Sequence, residues 1–345
     1  MRVGLVLGAG GLVGGAWLAA GLQALAEETG WDPADADHLV GTSAGSIAAS
    51  LLAARRPFSS AESGSSHGAS AAWAPPEIIE LSPFRLHGGL PRFGLGSWSL
   101  AFATTARPYR HTPAALYSAW LPAGIFSTDG LAETIRRAAP HGFDVHPNLW
   151  VVACDHATGR RVAFGREGAP PAALPEAVAA SCAIPGTYRS VKIAGRHYVD
   201  GGMYSTSNLD VLRDQGLDLV ICLNPTSTRE LSSGRGPLEL VANAVRRQSG
   251  RRLGSEAKKL RARGTGVVLI QPGPEDLAVM GANLMSPSVA RRRRVVEVAR
   301  RTVAEQLRGP TARELLAQLP RRSSASRAAS PRSGGRPARR PTRSA

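Results

Sequence analysis

Five short apolar runs, at residues 3–7, 38–40, 149–153, 217–223 and 267–271, are separated by stretches of helical spacing at 14–28, 43–54, 128–139, 174–182, 208–215 and 238–263. Runs this short, apolar at nearly every position, suit strands that are buried on both faces. Such strands need helices above and below them, and a helix between two consecutive strands makes those strands parallel. The alternation therefore predicts an α/β fold with three layers, α/β/α, around a mainly parallel central sheet. Two hairpins interrupt it: "LWVVACDHATGRRVAFG", turning at 157–159, and "SVKIAGRHYVD", turning at Ala194-Gly195.

Composition sets the outer limits. Half of the formal net charge of +16 comes from eight arginines in the last 26 residues, a segment without a single acid. That segment is Ser/Pro/Gly/Arg-rich with almost nothing to bury, so 310–345 reads as a disordered basic tail after a domain spanning 1–309. Such a tail can touch an anionic membrane surface, and no motif calls for a specific nucleic acid. The Gly/Ser-rich run at about 57–75 reads as a mobile loop. Segment 90–109 mixes four aromatic residues with turn residues and reads as core, with a lipid-facing lid as the alternative. Cys154, Cys182 and Cys222 are odd in number and lie in apolar stretches, which fits reduced thiols in a cytoplasmic protein. No Cys/His spacing suggests a metal, and no run of 18 apolar residues suggests a membrane span. Ala24-Leu25-Ala26 imitates a signal-cleavage site, but the glycine-interrupted segment before it reads better as strand, turn and helix.

Three short stretches carry chemistry. In "LVGTSAGSIAAS", Ser43 stands between Gly41 and Gly45 as G-x-S-x-G, with an apolar approach and a small-residue helix after it. A serine on such a strand-to-helix turn projects its hydroxyl above the sheet edge. In "GAGGLVGG", Gly8 and Gly10 would begin a dinucleotide fingerprint, but Val13 stands where its third glycine belongs. The other reading is an oxyanion hole of successive backbone N–H groups. In "GRHYVDGG", Asp200 ends a strand and is followed by Gly201 and Gly202. A desolvated carboxylate there can act as a general base, although Asp-Gly is also an ordinary turn dipeptide. None of the eight histidines stands where a Ser-Asp-His chain order would put one.

Taken together, "GLVLGAGGLVGGAWLAAGLQAL", "LVGTSAGSIAAS" and "ASCAIPGTYRSVKIAGRHYVDGG" resemble, in that order, the patatin-like phospholipase family. The resemblance extends over about 3–308. It implies a Ser–Asp dyad with Ser43 as nucleophile and Asp200 as base, and the Gly10, Gly11 and Leu12 amides as oxyanion donors. Gly8, Gly14, Gly41, Gly45, Gly201 and Gly202 would support these motifs. The implied activity is hydrolysis of lipid acyl esters with neither metal nor cofactor, in the cytoplasm or peripherally at a membrane. An acyltransferase and a catalytically impaired lipid-binding module are the alternatives. Two positions depart from the family pattern: Ala9 replaces a glycine, and Val13 stands where arginine or lysine is usual. Backbone donors do not depend on that side chain.

Overall fold

The computed structural model describes residues 1–55, 124–230 and 236–320, with isolated positions between 85 and 121. The loop expected at 57–75, the aromatic segment 90–109 apart from its positions 102 and 105, and residues 321–345 lie outside the described residues.

Strands β1 (Val3–Leu7) and β2 (His38–Thr42) are followed by a short pair, β3 (Arg85–Leu86) and β4 (Phe126–Ser127). Then come β5 (Leu149–Asp155), β6 (Arg161–Phe164), β7 (Val191–Ile193), β8 (Arg196–Asp200), β9 (Leu219–Leu223) and β10 (Gly266–Ile270). The main sheet runs β10-β9-β1-β2-β5-β8-β7, with β6 also paired to β5. Strands β10, β9, β1, β2 and β5 are mutually parallel, while β6, β7 and β8 are the antiparallel arms of the two expected hairpins.

Burial explains why the strands read as continuous apolar runs. Along β5, Leu149, Val151 and Ala153 enter one core, and Trp150 and Val152 enter the other. The first core is covered by α1 (Gly11–Thr29), α2 (Ala44–Ala53), α3 (Asp129–Ala138), α4 (Leu174–Ser181) and α7 (Val289–Arg308). The second is covered by α5 (Pro237–Arg261), through Leu253, Ala257 and Leu260. Helix α6 (Pro274–Met280) completes the body between β10 and α7. The fold is the α/β/α arrangement that the alternation predicts.

Two expectations need correction. The helix expected at 208–215 is one 3-10 turn, Leu209–Leu212, because Asn208 before it (φ 50°) and Gly216 after it (φ 62°) are both left-handed. The segment directly after residue 309, expected as the start of the tail, is folded. Pro310–Leu316 forms a further helix, α8, and Leu316 and Leu319 are buried against the first core. Two leucines three residues apart give this short segment enough apolar surface to pack, which the charge-dominated composition conceals.

Candidate active site

The geometry of the site follows from the pairing of β5. Its residues Leu149–Val152 pair with β2, and Ala153, Cys154 and Asp155 pair with β8. Strand β6 overlaps both segments, from Val151 to Cys154, so it occupies the opposite edge. Strands β2 and β8 therefore share one edge of β5 and meet end to end. Thr42 faces Val152 and Asp200 faces the next residue, Ala153. A parallel strand rising to its end and an antiparallel strand descending to its own are thus brought tip to tip.

Ser43 leaves β2 at φ 52°, ψ −122°, a conformation that L-residues seldom adopt. The glycines on either side make this turn possible. A Cβ on Gly41 would lie 2.4 Å from the Ser46 Cα, and one on Gly45 would lie 1.9 Å from the Leu7 carbonyl oxygen. Strand, turn and helix can therefore close on one another only without those side chains. The Ser43 amide donates to the Ser181 hydroxyl at 2.9 Å, and that hydroxyl donates to the Val152 carbonyl at 2.6 Å. The Ser43 side chain caps nothing in α2, which leaves its hydroxyl available, and the helix N-terminus it precedes carries a partial positive charge.

Asp200 is buried, 5% exposed. Its Oδ1 accepts the Gly202 N–H at 2.7 Å. Burial pushes its pKa up to about 6, while hydrogen bonds from the Ser43 side chain and the Gly202 amide hold it lower than burial alone would. Gly201 is a glycine for contact: a Cβ there would lie 2.3 Å from the Val152 carbonyl oxygen.

The glycine loop after β1 completes the site. Its amides divide into two sets. Gly8 donates to the Leu223 carbonyl, Ala9 to Thr206, Val13 to Leu284 and Gly14 to Gly10. Between them, Gly10, Gly11 and Leu12 donate to no group among the described residues. Gly11 sits at φ 59°, and a Cβ there would lie 2.8 Å from both the Leu284 carbonyl oxygen and the Met285 Sδ. Thr226 donates to the Ala9 carbonyl and fixes the loop from below. Val13 is fully buried in the first core.

A cavity of about 70 Å³ adjoins Ser43. Gly11 and Leu12 border it, and Ile47, Leu131, Ile184 and Met285 give it mainly apolar walls. No histidine lines it among the described residues. His197 instead contacts the Ser190 hydroxyl at 3.0 Å. Cys182 lies in the pocket wall near Ser46, its thiol pushed above its ordinary range by burial and then by the Asp200 charge. No group of three His, Cys, Asp or Glu among the described residues could hold a metal ion.

Two residues that the motifs do not point to hold the site together. Ser181 is the bridge from Ser43 to β5. Asn208, buried and left-handed, donates from Nδ2 to the Thr42 hydroxyl at 3.1 Å, to the Ser205 carbonyl at 2.6 Å and to the Gly201 carbonyl at 3.4 Å. It therefore ties the residue before Ser43 to the residue after Asp200. An asparagine at the start of the helix expected at 208–215 is its only local sign in the sequence.

The patatin-like phospholipase family model matches residues 5–213. Among solved structures, VipD from Legionella pneumophila aligns at 16% identity and a TM-score of 0.41, over 89% of this chain. The alignment spans 66% of that protein, just under two thirds of its length.

Proposed function

The chain belongs to the patatin-like phospholipase family, whose members are lipid acyl hydrolases, and from that premise we propose that it cleaves acyl esters of lipids with a Ser43–Asp200 dyad. The observation that carries the reading is the register on β5 that brings Ser43, at the end of β2, to Asp200, at the end of β8, a buried carboxylate whose pKa is raised to about 6. At neutral pH that carboxylate is ionised, yet it is basic enough to take a proton in the transition state.

In the proposed sequence, Ser43 Oγ attacks the ester carbonyl carbon as its proton passes to Asp200. The oxyanion so formed is held by the Gly10, Gly11 and Leu12 amides, each such donor contributing about 3–4 kcal/mol. The tetrahedral intermediate collapses, the acyl–oxygen bond breaks, and protonated Asp200 gives its proton to the departing alcohol. Water then attacks the Ser43 ester, with Asp200 again taking the proton, and the fatty acid leaves as Ser43 recovers its hydrogen. The apolar cavity beside Ser43 suits the first carbons of an acyl chain. The catalytic unit on this reading runs to residue 319, where Leu319 closes the first core.

The test is covalent labelling. A fluorophosphonate probe should modify Ser43, located by peptide mass spectrometry, and abolish hydrolysis of p-nitrophenyl butyrate in proportion to labelling. Full hydrolytic activity after complete Ser43 labelling would end the proposal.

A further inference from the structure

Helix α5 is packed along its second half and stands free along its first. Leu253, Ala257 and Leu260 lie on the sheet, but Leu238, Leu240, Val241 and Val245 are 75%, 61%, 64% and 50% exposed. The helix leads into β10, so it runs back from the end of the sheet that carries Ser43.

The level of the glycine loop along α5 is marked by Ser249 and Gly250. The Ser249 hydroxyl bonds that of Thr206, whose carbonyl accepts the Ala9 amide, and a Cβ on Gly250 would lie 3.1 Å from the Thr228 carbonyl oxygen. The turns before Ser249 therefore project past the loop, and from Leu238 to Val245 they rise about 10 Å. Buried Arg246 anchors this projection by donating to the Gly281 carbonyl at 2.6 Å. Four residues on, the same connection supplies Met285 to the wall of the Ser43 pocket.

Charge decides what such a tip fits. Arg247 and Arg251 follow the apolar turns on the exposed side of the helix, and neither makes an ion pair with a described residue. Four aliphatic side chains in neighbouring turns, with free guanidinium groups one and two turns behind, match the two layers of an anionic bilayer surface. Aliphatic groups enter the acyl boundary, and guanidinium groups remain at the level of the phosphates. We infer that the projecting turns of α5, residues 238–245, dock the protein on an anionic lipid bilayer and so set the Ser43 pocket at the membrane surface.

This docking rests on the lipid-hydrolase reading for its purpose but is measured without turnover. Full-length Ser43→Ala protein should sediment with vesicles of phosphatidylcholine containing one third phosphatidylglycerol. In that background, Leu238→Ser/Leu240→Ser/Val241→Ser should lower the partition coefficient by at least about tenfold. Arg247→Gln/Arg251→Gln should lower it by about fivefold per arginine on these vesicles and leave binding to pure phosphatidylcholine unchanged. With Ser43 restored, the triple variant should lose hydrolysis of vesicle lipids and keep that of soluble p-nitrophenyl butyrate, which also reports its folding. Vesicle binding by the triple variant equal to the parent would overturn the inference. So would a parent that does not bind vesicles, or a triple variant that only converts a dimer to a monomer. Intact vesicle binding without any ester hydrolysis would instead remove the hydrolase reading and leave the docking surface standing.

Discussion

Thr42 and Asp200 face consecutive residues of the same strand, Val152 and Ala153, although 158 positions separate them in the chain. Strand β5 acts as a template on which two otherwise unrelated strands end tip to tip. The residue after Thr42 is Ser43, so the pairing register alone brings a strained serine to a buried carboxylate. Ser181 and Asn208 then fix the two tips through hydrogen bonds to Ser43, Thr42 and Gly201.

In the proposed mechanism Asp200 must be ionised to accept a proton, and its pKa is raised to about 6 by burial. The kcat/KM for ester hydrolysis should therefore be low in acid, rise through about pH 6 and stay level above pH 7. A pH–rate profile on p-nitrophenyl butyrate checks this. An inflection near pH 4, the ordinary aspartate value, would show that the buried carboxylate is not the base.

The same shift governs stability. The folded pKa lies above the unfolded one, so the native state holds this proton more tightly between about pH 4 and pH 6. The resulting contribution is present below about pH 4 and is lost as pH rises through about 6. Ionised Asp200 then costs up to about 3 kcal/mol. Asp200→Asn, which cannot ionise, should be more stable than the parent at pH 8 by about 1–3 kcal/mol and show no such gain at pH 4. Urea unfolding at the two pH values measures the difference.

Ser181 satisfies two buried backbone groups at once, the Ser43 amide and the Val152 carbonyl. Ser181→Ala leaves both without a partner. It should cost about 1–3 kcal/mol of stability and, on the proposed mechanism, lower kcat with little change in KM, because the loosened group would be the attacking residue rather than the pocket wall. Denaturant unfolding and steady-state kinetics test the two parts separately.

Val13 stands where the family pattern usually has a cation, and restoring one should not help. Its side chain is fully buried in the first core and its amide is held by the Leu284 carbonyl. Val13→Arg would place a charge among apolar residues and should destabilise the protein by more than about 3 kcal/mol. Thermal unfolding of the variant is the measurement, and an unchanged Tm with raised activity would contradict this account of the position.

The layers of the fold were legible in the sequence because continuous apolar runs record burial on both faces, and the run at 149–153 is buried at every position. Ser43, Asp200 and the glycine loop were legible because each needs residue types that few other environments need: glycines at 41 and 45 for contact, and an acid before two glycines at 201 and 202. Ser181 and Asn208 were not legible. Each is a common polar residue whose role arises only when β5 brings distant segments together. The helix from Pro310 to Leu316 escapes a sequence reading for a different reason: the arginine-rich composition of residues 321–345 overshadows its core leucine and the one at 319.

The dyad itself is tested most directly by the kcat/KM of Asp200→Asn on p-nitrophenyl butyrate, measured at pH 8 on protein shown by unfolding to be intact. Removing a general base while keeping shape and size should lower the rate by about 10³-fold, with Ser43→Ala lower still. Near-normal turnover by a folded Asp200→Asn protein would contradict the account.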